Sequence, residues 1–379
     1  MNKVLVAGVG MIPFTKPGAS ETYPVMGSKA AALALKDARV DYGKVEQAYA
    51  GYVYGDSTAG QRAIYEVGMT GIPIINVNNN CSTGSTAIYL ARQAIAAGDA
   101  LGQVFKDRPT PLDKFDEATD ELVGQKEIPL TLRYFCGAGI EHMKRFGTKL
   151  SNFAKVRAKA SRHAARNPLA IFRKEVTEEE VLQSPTIMPG VMTRLMACPP
   201  TCGAAAAVLV SESFAKKHGL EKASVAILGQ ALTTDRASTF ESGDMRRVVG
   251  FDISREAGAQ VYEQAGIGPD DVDVCELHDC FAQNELLTYE ALGFCPEGGG
   301  ERFVEDGDNT YGGKVVTNPS SGLLSKGHPL GATGLAQCYE LVSQLRGTAG
   351  DRQIEGARLA LQHNLGIGSA CVVTLYGRA

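Results

Sequence analysis

Long apolar runs and an excess of charge of one sign are both missing from this sequence. No apolar stretch reaches the ~18 residues that cross a bilayer, and the start Met1-Asn2-Lys3 leads into a short apolar segment that does not resemble a signal peptide. The formal net charge of −4 gives no overall attraction to nucleic acid or to a membrane surface. We therefore expect an intracellular, cytoplasmic protein without a membrane span or a nucleic-acid partner. The end of the chain carries no Ser-Lys-Leu address, so import into peroxisomes or mitochondria by another route stays open.

Paired metal-ligand motifs are missing as well. The chain has nine cysteines, an odd number, and several of them lie in apolar segments, which favours reduced thiols over a disulfide framework. Cys198 and Cys202 form a close pair, as do Cys275 and Cys280, but neither pair has a second Cys or His pair at zinc-finger spacing. The sequence predicts no structural disulfide and no metal site.

A repeated order of elements runs through the 379 residues, a length that exceeds one ordinary core. In the first half, an apolar strand at 72–77 is followed by a glycine-containing turn and a helix ending near residue 97. In the second half, a strand at 315–318 precedes the turn 327–334 and a helix ending near residue 345. Such doubling predicts an α/β protein with two similar halves related by a pseudo-twofold axis.

These patterns also predict domain boundaries. We assign residues 1–100 and 198–215 to the N-terminal half and residues 216–379 to the C-terminal half. Residues 101–197 are richer in charge and helix formers, and we interpret them as an inserted loop domain. Its lysines and arginines are typical either of a solvated helical face or of a cationic lid over substrate phosphates.

The first half is one strand shorter than the second. After its last helix, residues 98–102 lead directly into the polar segment 106–109, whereas the second half has an apolar strand beginning near Arg358. The run 203–210 supplies the final strand of the first half. We therefore expect an N-terminal half that lacks one strand of a typical ~5 to 6 residues.

Two glycine-flanked turns carry the residues best suited to chemistry. Cys81 lies where the first-half helix is predicted to begin, and a helix N-terminus favours a thiolate. His328 lies in the equivalent turn of the second half. If the halves are symmetric, the two helix starts meet, and His328 can remove the Cys81 proton as a general base. A buried cysteine and a histidine that caps its own turn are the alternatives.

Two further segments lie at strand ends, where ligands of α/β sheets collect. His278-Asp279-Cys280-Phe281 follows a predicted strand, and the Cys280 thiol can carry a proton near neutral pH. Asp279 either orients a turn or touches the substrate. Gly366 belongs to a predicted turn between the last two strands, where a backbone N–H can face an oxyanion.

Together, four segments resemble the thiolase superfamily in their order and spacing: 80–85, 278–281, 327–332 and 364–366. The His-Asp-Cys-Phe form, and Asn364 at a position where many thiolases carry a catalytic cysteine, are similar to the sterol carrier protein subgroup. The resemblance covers nearly the whole chain. It implies a thiolase-like fold, with two α/β halves in a layered αβαβα arrangement and an inserted loop domain.

The resemblance implies an acyltransferase that cleaves a 3-oxoacyl-CoA with CoA, giving a shortened acyl-CoA and acetyl-CoA or propionyl-CoA, in lipid or sterol side-chain oxidation. Cys81 would carry the acyl group after activation by His328, and His278 would line the same oxyanion pocket. Cys280 would protonate the enolate and later deprotonate the incoming CoA. The N–H groups of Cys81 and Gly366 would form a second oxyanion hole. Acyl-CoA and CoA are the implied substrates, no cofactor or metal is implied, and a homodimer is expected.

Two other classes remain open from the sequence. Condensing synthases also pair one cysteine with two histidines, but Cys280 favours a thiolase, because decarboxylative condensation needs no such proton carrier. A non-catalytic lipid-binding or scaffold protein, or a subunit of a side-chain aldolase complex, is favoured by the missing strand and disfavoured by the intact cysteine and histidine set.

Overall fold

The computed structural model describes residues 3–96, 112–368 and 370–378, and its first half follows the predicted alternation of strands and helices. The strand predicted at 72–77 and the helix predicted after it are both present. The elements are β1 Val4–Met11, α1 Tyr23–Ala38, β2 Ala48–Gly51, α2 Ala59–Ile64, β3 Ile74–Val77 and α3 Thr83–Ala96.

The middle of the chain is mainly helical, and its last strand returns to the first half. Its elements are α4 Asp113–Leu122, α5 Leu130–Phe146, α6 Leu150–Ala165, α7 Glu178–Leu182, β4 Thr186–Met188, β5 Met192–Thr193, β6 Ala205–Ser211 and α8 Glu212–His218.

The second half repeats the pattern of the first with additional short helices. Its elements are β7 Val225–Thr233, α9 Ala237–Glu241, α10 Met245–Val248, α11 Phe251–Ala265, β8 Val274–Glu276, α12 Ala282–Ala291, α13 Gly300–Glu305, β9 Val316–Thr317, α14 Thr333–Arg346, β10 Leu359–Gly366 and β11 Ala370–Arg378. A π-helical turn, Gly322–Lys326, precedes the turn that contains His328.

Helices and strands alternate in layers. The helices α3 and α14 contact each other, and each also contacts strands of both halves. On the outer faces, α1 covers β1 and β6, while α11 covers β7 and β11. The sequence of helix, strands, paired helices, strands and helix is the αβαβα arrangement predicted from the resemblance.

Close approach of backbone explains part of the high glycine content. A Cβ atom on Gly8 would lie 2.4 Å from the carbonyl oxygen of Ala34, and one on Gly10 would lie 2.4 Å from that of Ala30. The fully buried strand β1 therefore lies directly against the alanine face of α1. Larger side chains at these positions would push the outer helix away from the sheet.

The sheets of the two halves differ at one position. Seven strands form one sheet in the order β6-β1-β7-β11-β10-β8-β9, and β2 and β3 form a separate two-stranded sheet. In the C-terminal half, β10 pairs in parallel with β8 and antiparallel with β11. In the N-terminal half, β2 corresponds to β8 and β6 to β11, but within the described residues no strand lies between them.

This gap coincides with the strand whose absence the sequence predicts. The segment on which that prediction rests, 97–109, lies outside the described residues. The consequence is visible in the described neighbours: most residues of β6 are only half-buried, whereas its counterpart β11 is buried along nearly its whole length.

A buried ion pair attaches the helical insertion to the C-terminal half. The Lys159 ammonium on α6 donates to the carboxylate of Glu285 on α12 and to Thr317 Oγ1, at 2.7 Å, on β9. The Lys159 and Glu285 side chains are no more than 2% exposed. Each charge depends on its partner, because an unpaired charge in the interior is costly.

We expect Lys159→Met to lower the free energy of unfolding by about 3 to 5 kcal/mol, because it leaves the Glu285 carboxylate buried without its cation. Urea denaturation followed by circular dichroism measures the loss. Lys155→Met is the matched control on the same helix: Lys155 pairs with Glu305 at 3.5 Å on the surface, where such a pair contributes about 0 to 1 kcal/mol. Equal losses in the two variants would contradict this account.

No helix in the described part of the chain has the length and apolar character needed to cross a membrane. The predicted compartment stays a prediction.

Candidate active site

Cys81 lies in a tight turn between β3 and α3. The turn is held by backbone bonds from Ser82 N–H to the carbonyl of Asn79 and from Thr83 N–H to that of Asn80. Asn80 has a positive φ of 46°, a conformation that asparagine tolerates better than most residues. We expected Cys81 in the first helical turn, but α3 begins at Thr83, so the sulfur lies just before the helix.

His328 lies in the corresponding turn before α14. Gly327 has a φ of 112°, and a Cβ on it would lie 2.7 Å from the Thr201 side chain, so glycine is required there. The His328 N–H donates to Thr201 Oγ1 at 2.5 Å, which fixes this turn against the segment before β6.

The two helix starts meet as the pseudo-symmetry predicts. A Cβ on Gly84 would lie 2.9 Å from the carbonyl oxygen of Gly331, and one on Gly334 would lie 2.2 Å from Ser85 Oγ. Only glycine permits this contact of α3 with α14, and the contact brings the residues before each helix together.

Cys81, His278 and His328 form one cluster. One atom of each, the sulfur and a ring nitrogen of each histidine, lies within 4.8 Å of the others. The two imidazole rings are 5.0 Å apart between centroids and nearly perpendicular, at 82°. A soft divalent metal could use these three atoms. The sequence predicts none, and that stays a prediction.

Burial makes both members of the Cys81 and His328 pair neutral at rest. It raises the pKa of the Cys81 thiol to about 12, although the backbone N–H groups of Cys81 and Ile367 act in the opposite direction. Burial, and next the charge of Lys326, lower the pKa of His328 to about 3. Desolvation therefore outweighs the helix-terminus effect expected from the sequence. The thiol needs a base, and a neutral imidazole lies beside it.

The hydrogen bonds of His328 indicate which ring nitrogen is the base. Its Nδ1 lies 2.7 Å from Thr333 Oγ1, and that hydroxyl lies 3.0 Å from the carbonyl oxygen of Pro329. Nε2 is buried without a hydrogen-bond partner in the described structure. Every proton has an acceptor only if Thr333 donates to Pro329 and His328 Nδ1 donates to Thr333. The free lone pair then lies on Nε2.

Cys280 shares the site with a cysteine that the sequence analysis treated as half of an isolated pair. The N–H of Cys198 donates to the carbonyl of Cys280 at 2.9 Å. Burial, followed by the charges of Cys198, Cys81 and Asp279, raises the pKa of the Cys280 thiol well above its ordinary value. This differs from the nearly unperturbed thiol expected from the sequence. The sequence around residue 198 contains no pattern that predicts its contact with residue 280.

Asp279 orients the backbone near the His328 turn. Its carboxylate accepts from the N–H of Leu323 at 2.6 Å and from that of Leu324 at 3.3 Å. The side chain is fully buried, and a Cβ on Gly322 would lie 2.1 Å from it. Of the two sequence interpretations, these contacts favour the orienting role.

Gly366 is the last residue of β10, not part of the turn that we expected, and it pairs with Ala370. A Cβ there would lie 2.3 Å from the carbonyl oxygen of Asn79 and 2.8 Å from Ser82 Oγ, so glycine lets β10 approach the nucleophile turn. The neighbouring N–H of Ile367 is one that stabilises negative charge on the Cys81 sulfur.

A cavity of about 1360 Å³ opens onto the cluster. Its lining includes Cys81, His278, Cys280 and His328. It continues along α1, α3 and the facing edges of β2 and β6, where the two halves of the fold differ. The cavity therefore joins the reactive side chains to a largely apolar space.

The cations of the insertion do not form one exposed lid. Arg157 and Lys159 point into the protein, where Arg157 Nη1 donates to Ser325 Oγ at 2.8 Å and Lys159 pairs with Glu285. Lys144 and Arg162 remain exposed on α5 and α6. Only the exposed ones are available to a phosphorylated substrate.

Comparisons with known proteins agree with this arrangement. The "Thiolase, N-terminal domain" family matches residues 4–104, and the "Thiolase C-terminal domain-like" family matches residues 235–378. Sterol carrier protein 2 of Oryctolagus cuniculus is 53% identical over 99% of this chain and 72% of its own length. Non-specific lipid-transfer protein-like 2 of Caenorhabditis elegans is 44% identical, covering 99% of this chain and 96% of its own. Benzoylsuccinyl-CoA thiolase subunit BbsB of Thauera aromatica is 36% identical, covering 99% and 98%.

The rabbit alignment extends over 392 positions, 13 more than the 379 residues of this chain, so the relative has residues without a counterpart here. Solved structures show the same fold. The Ltp2-ChsH2(DUF35) aldolase superposes with a TM-score of 0.83 at 21% identity, covering 100% of this chain and 98% of that one. Human mitochondrial 3-ketoacyl-CoA thiolase superposes with a TM-score of 0.72 at 19% identity, covering 100% and 99%.

Proposed function

This chain belongs to the thiolase superfamily, in its sterol carrier protein branch, and from that membership we propose that it is a 3-oxoacyl-CoA thiolase. The observation that carries the proposal is the cluster of Cys81, His278 and His328, whose reactive atoms lie within 4.8 Å of one another. Cys280 lines the same cavity. The substrates are a 3-oxoacyl-CoA and CoA, and the products are a shortened acyl-CoA and acetyl-CoA or propionyl-CoA.

The first half-reaction forms an acyl-enzyme. His328 Nε2 takes the Cys81 proton while the sulfur attacks the 3-oxo carbon, so that no isolated thiolate has to exist in the buried site. Cleavage of the bond between C2 and C3 of the substrate then leaves the acyl group on the Cys81 sulfur. The departing thioester leaves as its enolate. The protonated His328 ring and the His278 ring hold the enolate oxygen, and Cys280 gives the enolate carbon its proton.

The second half-reaction returns the enzyme to its resting state. The Cys280 thiolate takes the proton of the incoming CoA thiol, and the CoA sulfur attacks the acyl-enzyme carbonyl. The N–H groups of Cys81 and Gly366 stabilise the oxyanion of the tetrahedral intermediates. Loss of one such donor costs about 10² to 10³ in rate in other acyl-transfer enzymes. Cys81 leaves as the new acyl-CoA forms and recovers its proton from His328.

Dimerisation through the outer edge of β3 is part of the same proposal. Only β2 pairs with β3 within the described residues, so its other edge is free to meet a second copy. The connection from β2 to β3 also exposes apolar side chains: Tyr54 is 92% exposed and Met69 is 77% exposed. Both side chains lie in the segment that leads to β3, which a second copy at this edge would approach.

Thiolysis by the purified chain tests the proposal. With acetoacetyl-CoA and CoA we expect two acetyl-CoA per acetoacetyl-CoA consumed, and a longer 3-oxoacyl-CoA should give acetyl-CoA and the shortened acyl-CoA. Mass spectrometry of the products checks both results. A folded sample that forms no acetyl-CoA from either substrate would remove the thiolase assignment.

The split N-terminal sheet favours one other candidate, a non-catalytic lipid-binding or scaffold protein. In that case the cavity beside β2 and β6 would hold an acyl chain, and Cys81 would not become acylated. Binding of an acyl-CoA measured by calorimetry, without turnover and without an acyl-enzyme, would support this candidate over the thiolase.

A further inference from the structure

A buried side-chain network begins at Gln362 on β10. Gln362 Oε1 accepts from the Tyr376 hydroxyl at 2.6 Å. Gln362 Nε2 donates to the carbonyl oxygen of Gly334 at 2.6 Å and to Ser85 Oγ at 2.7 Å. The side chains of Gln362, Tyr376 and Ser85 have no solvent exposure. Because a backbone carbonyl only accepts, the contact with Gly334 fixes which end of the Gln362 amide faces Ser85.

The network continues to the site through Asn364. Ser85 Oγ already accepts from Gln362, and its own proton goes to Asn364 Oδ1 at 2.8 Å. The NH₂ group of Asn364 then faces His278 Nδ1 at 3.1 Å. A flipped Asn364 amide would leave the Ser85 proton without an acceptor among the described contacts. The amide N–H can only donate, so Nδ1 of His278 accepts and carries no proton.

We propose that Ser85, Gln362 and Asn364 are positioning residues that hold His278 as the neutral tautomer protonated on Nε2. Nδ1 is occupied by Asn364, so Nε2 is the ring nitrogen left for the cavity that His278 lines. His278 then offers an N–H to the cavity, whereas His328 offers a lone pair. The two rings therefore have opposite roles: His278 donates to a developing oxyanion, and His328 removes a proton.

The network connects three different elements of the fold. Ser85 is on α3, Gly334 is in the first turn of α14, and Gln362 and Asn364 are on β10. Gln362 bonds to both helices, through Ser85 and Gly334, and Asn364 bonds to Ser85. Movement of either helix would break a bond in the network. The tautomer assignment stands on hydrogen bonds alone, while its role in catalysis rests on the proposed function.

Asn364→Asp tests the assignment, because a carboxylate has no N–H to offer and requires a proton on His278 Nδ1. Nitrogen-15 NMR of the full-length chain labelled at histidine, with His278→Gln used to identify the signal, reports the tautomer. We expect wild type to show a protonated Nε2 and an unprotonated Nδ1 near neutral pH, and Asn364→Asp to show a protonated Nδ1. A protonated Nδ1 in wild type would overturn the proposal.

Kinetics test the positioning role. With acetoacetyl-CoA and CoA, we expect Asn364→Asp to lower kcat about 10²-fold or more with little change in KM, as for loss of one oxyanion donor. Its activity should also gain a decline toward alkaline pH, where a His278 ring paired with a carboxylate loses its second proton. Unchanged kcat in a variant whose tautomer has switched would overturn the positioning role.

Ser85→Ala is a second variant in case the buried carboxylate of Asn364→Asp prevents folding. It removes only the hydroxyl that orients the Asn364 amide. We expect a smaller fall in kcat and a mixture of His278 tautomers. Ser343→Ala is the matched control, because Ser343 is a buried helical serine whose hydroxyl donates only to the carbonyl of Tyr339. Wild type that shows the expected tautomer but no thiolysis would refute the thiolase assignment and leave the tautomer assignment in place.

Discussion

Cys81→Ala is expected to lower the rate of thiolysis by about 10⁴-fold or more, since removing a catalytic nucleophile costs about that much or more in other enzymes that form acyl intermediates. Among the described residues, Cys81 is the thiol whose sulfur clusters with the ring nitrogens of His278 and His328. Cys280 and Cys198 line the same cavity, but His328 and the turn that holds Cys81 face each other across the contact of α3 with α14. The variant should also fail to form an acyl-enzyme.

Intact-protein mass spectrometry after rapid mixing with acetoacetyl-CoA, without CoA, checks this directly. Wild type should gain one acetyl group, and peptide mapping should place it on Cys81. Cys338→Ala is the matched control, because Cys338 is fully buried in α14, away from the cavity. It should keep its acyl-enzyme and its activity. Equal rates for Cys81→Ala and wild type, in samples with the same elution volume and circular dichroism, would contradict the mechanism.

A steep loss of stability below about pH 6.5 is the second large effect that we expect. Four buried histidines are held neutral: burial lowers the pKa of His163, His328 and His363 to about 3 each, and that of His278 well below its ordinary value. In the unfolded chain each histidine takes up a proton near its ordinary pKa of 6.5. Their contribution to stability is therefore fully present above about pH 6.5 and is lost as the pH falls toward 3.

The size of the effect follows from linkage. Each group costs about 1.4 kcal/mol per pH unit inside this window. Two buried carboxyls act oppositely: burial raises the pKa of Asp279 and of Glu340, so the native state binds their protons first. The net slope is on the order of 3 to 5 kcal/mol per pH unit. Since a typical domain is stable by about 5 to 15 kcal/mol, unfolding is expected within a few pH units.

Urea denaturation at a series of pH values from about 7.5 to 5 measures the slope. His163→Gln should reduce it by about 1.4 kcal/mol per pH unit, because one buried site no longer titrates on unfolding. His218→Gln is the comparison variant. His218 is exposed on α8, and although desolvation and the charges of Lys44 and Lys217 lower its pKa, we expect a smaller change of slope than for His163→Gln. A free energy of unfolding that stays constant between pH 7 and 5 would contradict the buried neutral histidines.

The sequence by itself predicted the alternation of strands and helices, because apolar runs and glycine turns are local signals. It also predicted Cys81 and His328 as candidate site residues, since a cysteine or histidine in a glycine-flanked turn before a helix is visible in a few consecutive letters. The motif set was sufficient to identify the family. The sequence also predicted the shortened first half. The second half has an apolar strand after its helix, and the equivalent position of the first half has no apolar run.

Tertiary structure alone decided the protonation states. The sequence favoured an acidic Cys81 thiol and a nearly ordinary Cys280 thiol, but burial raises the pKa of both, and burial depends on which distant segments cover a side chain. The same holds for Cys198, which contacts Cys280 although the two are 82 positions apart in the sequence. It also holds for Asn364, whose partners Ser85 and His278 lie in distant parts of the chain. The hydrogen bonds and the dielectric environment of a side chain depend on its neighbours in space, and a local sequence pattern does not predict which residues those are.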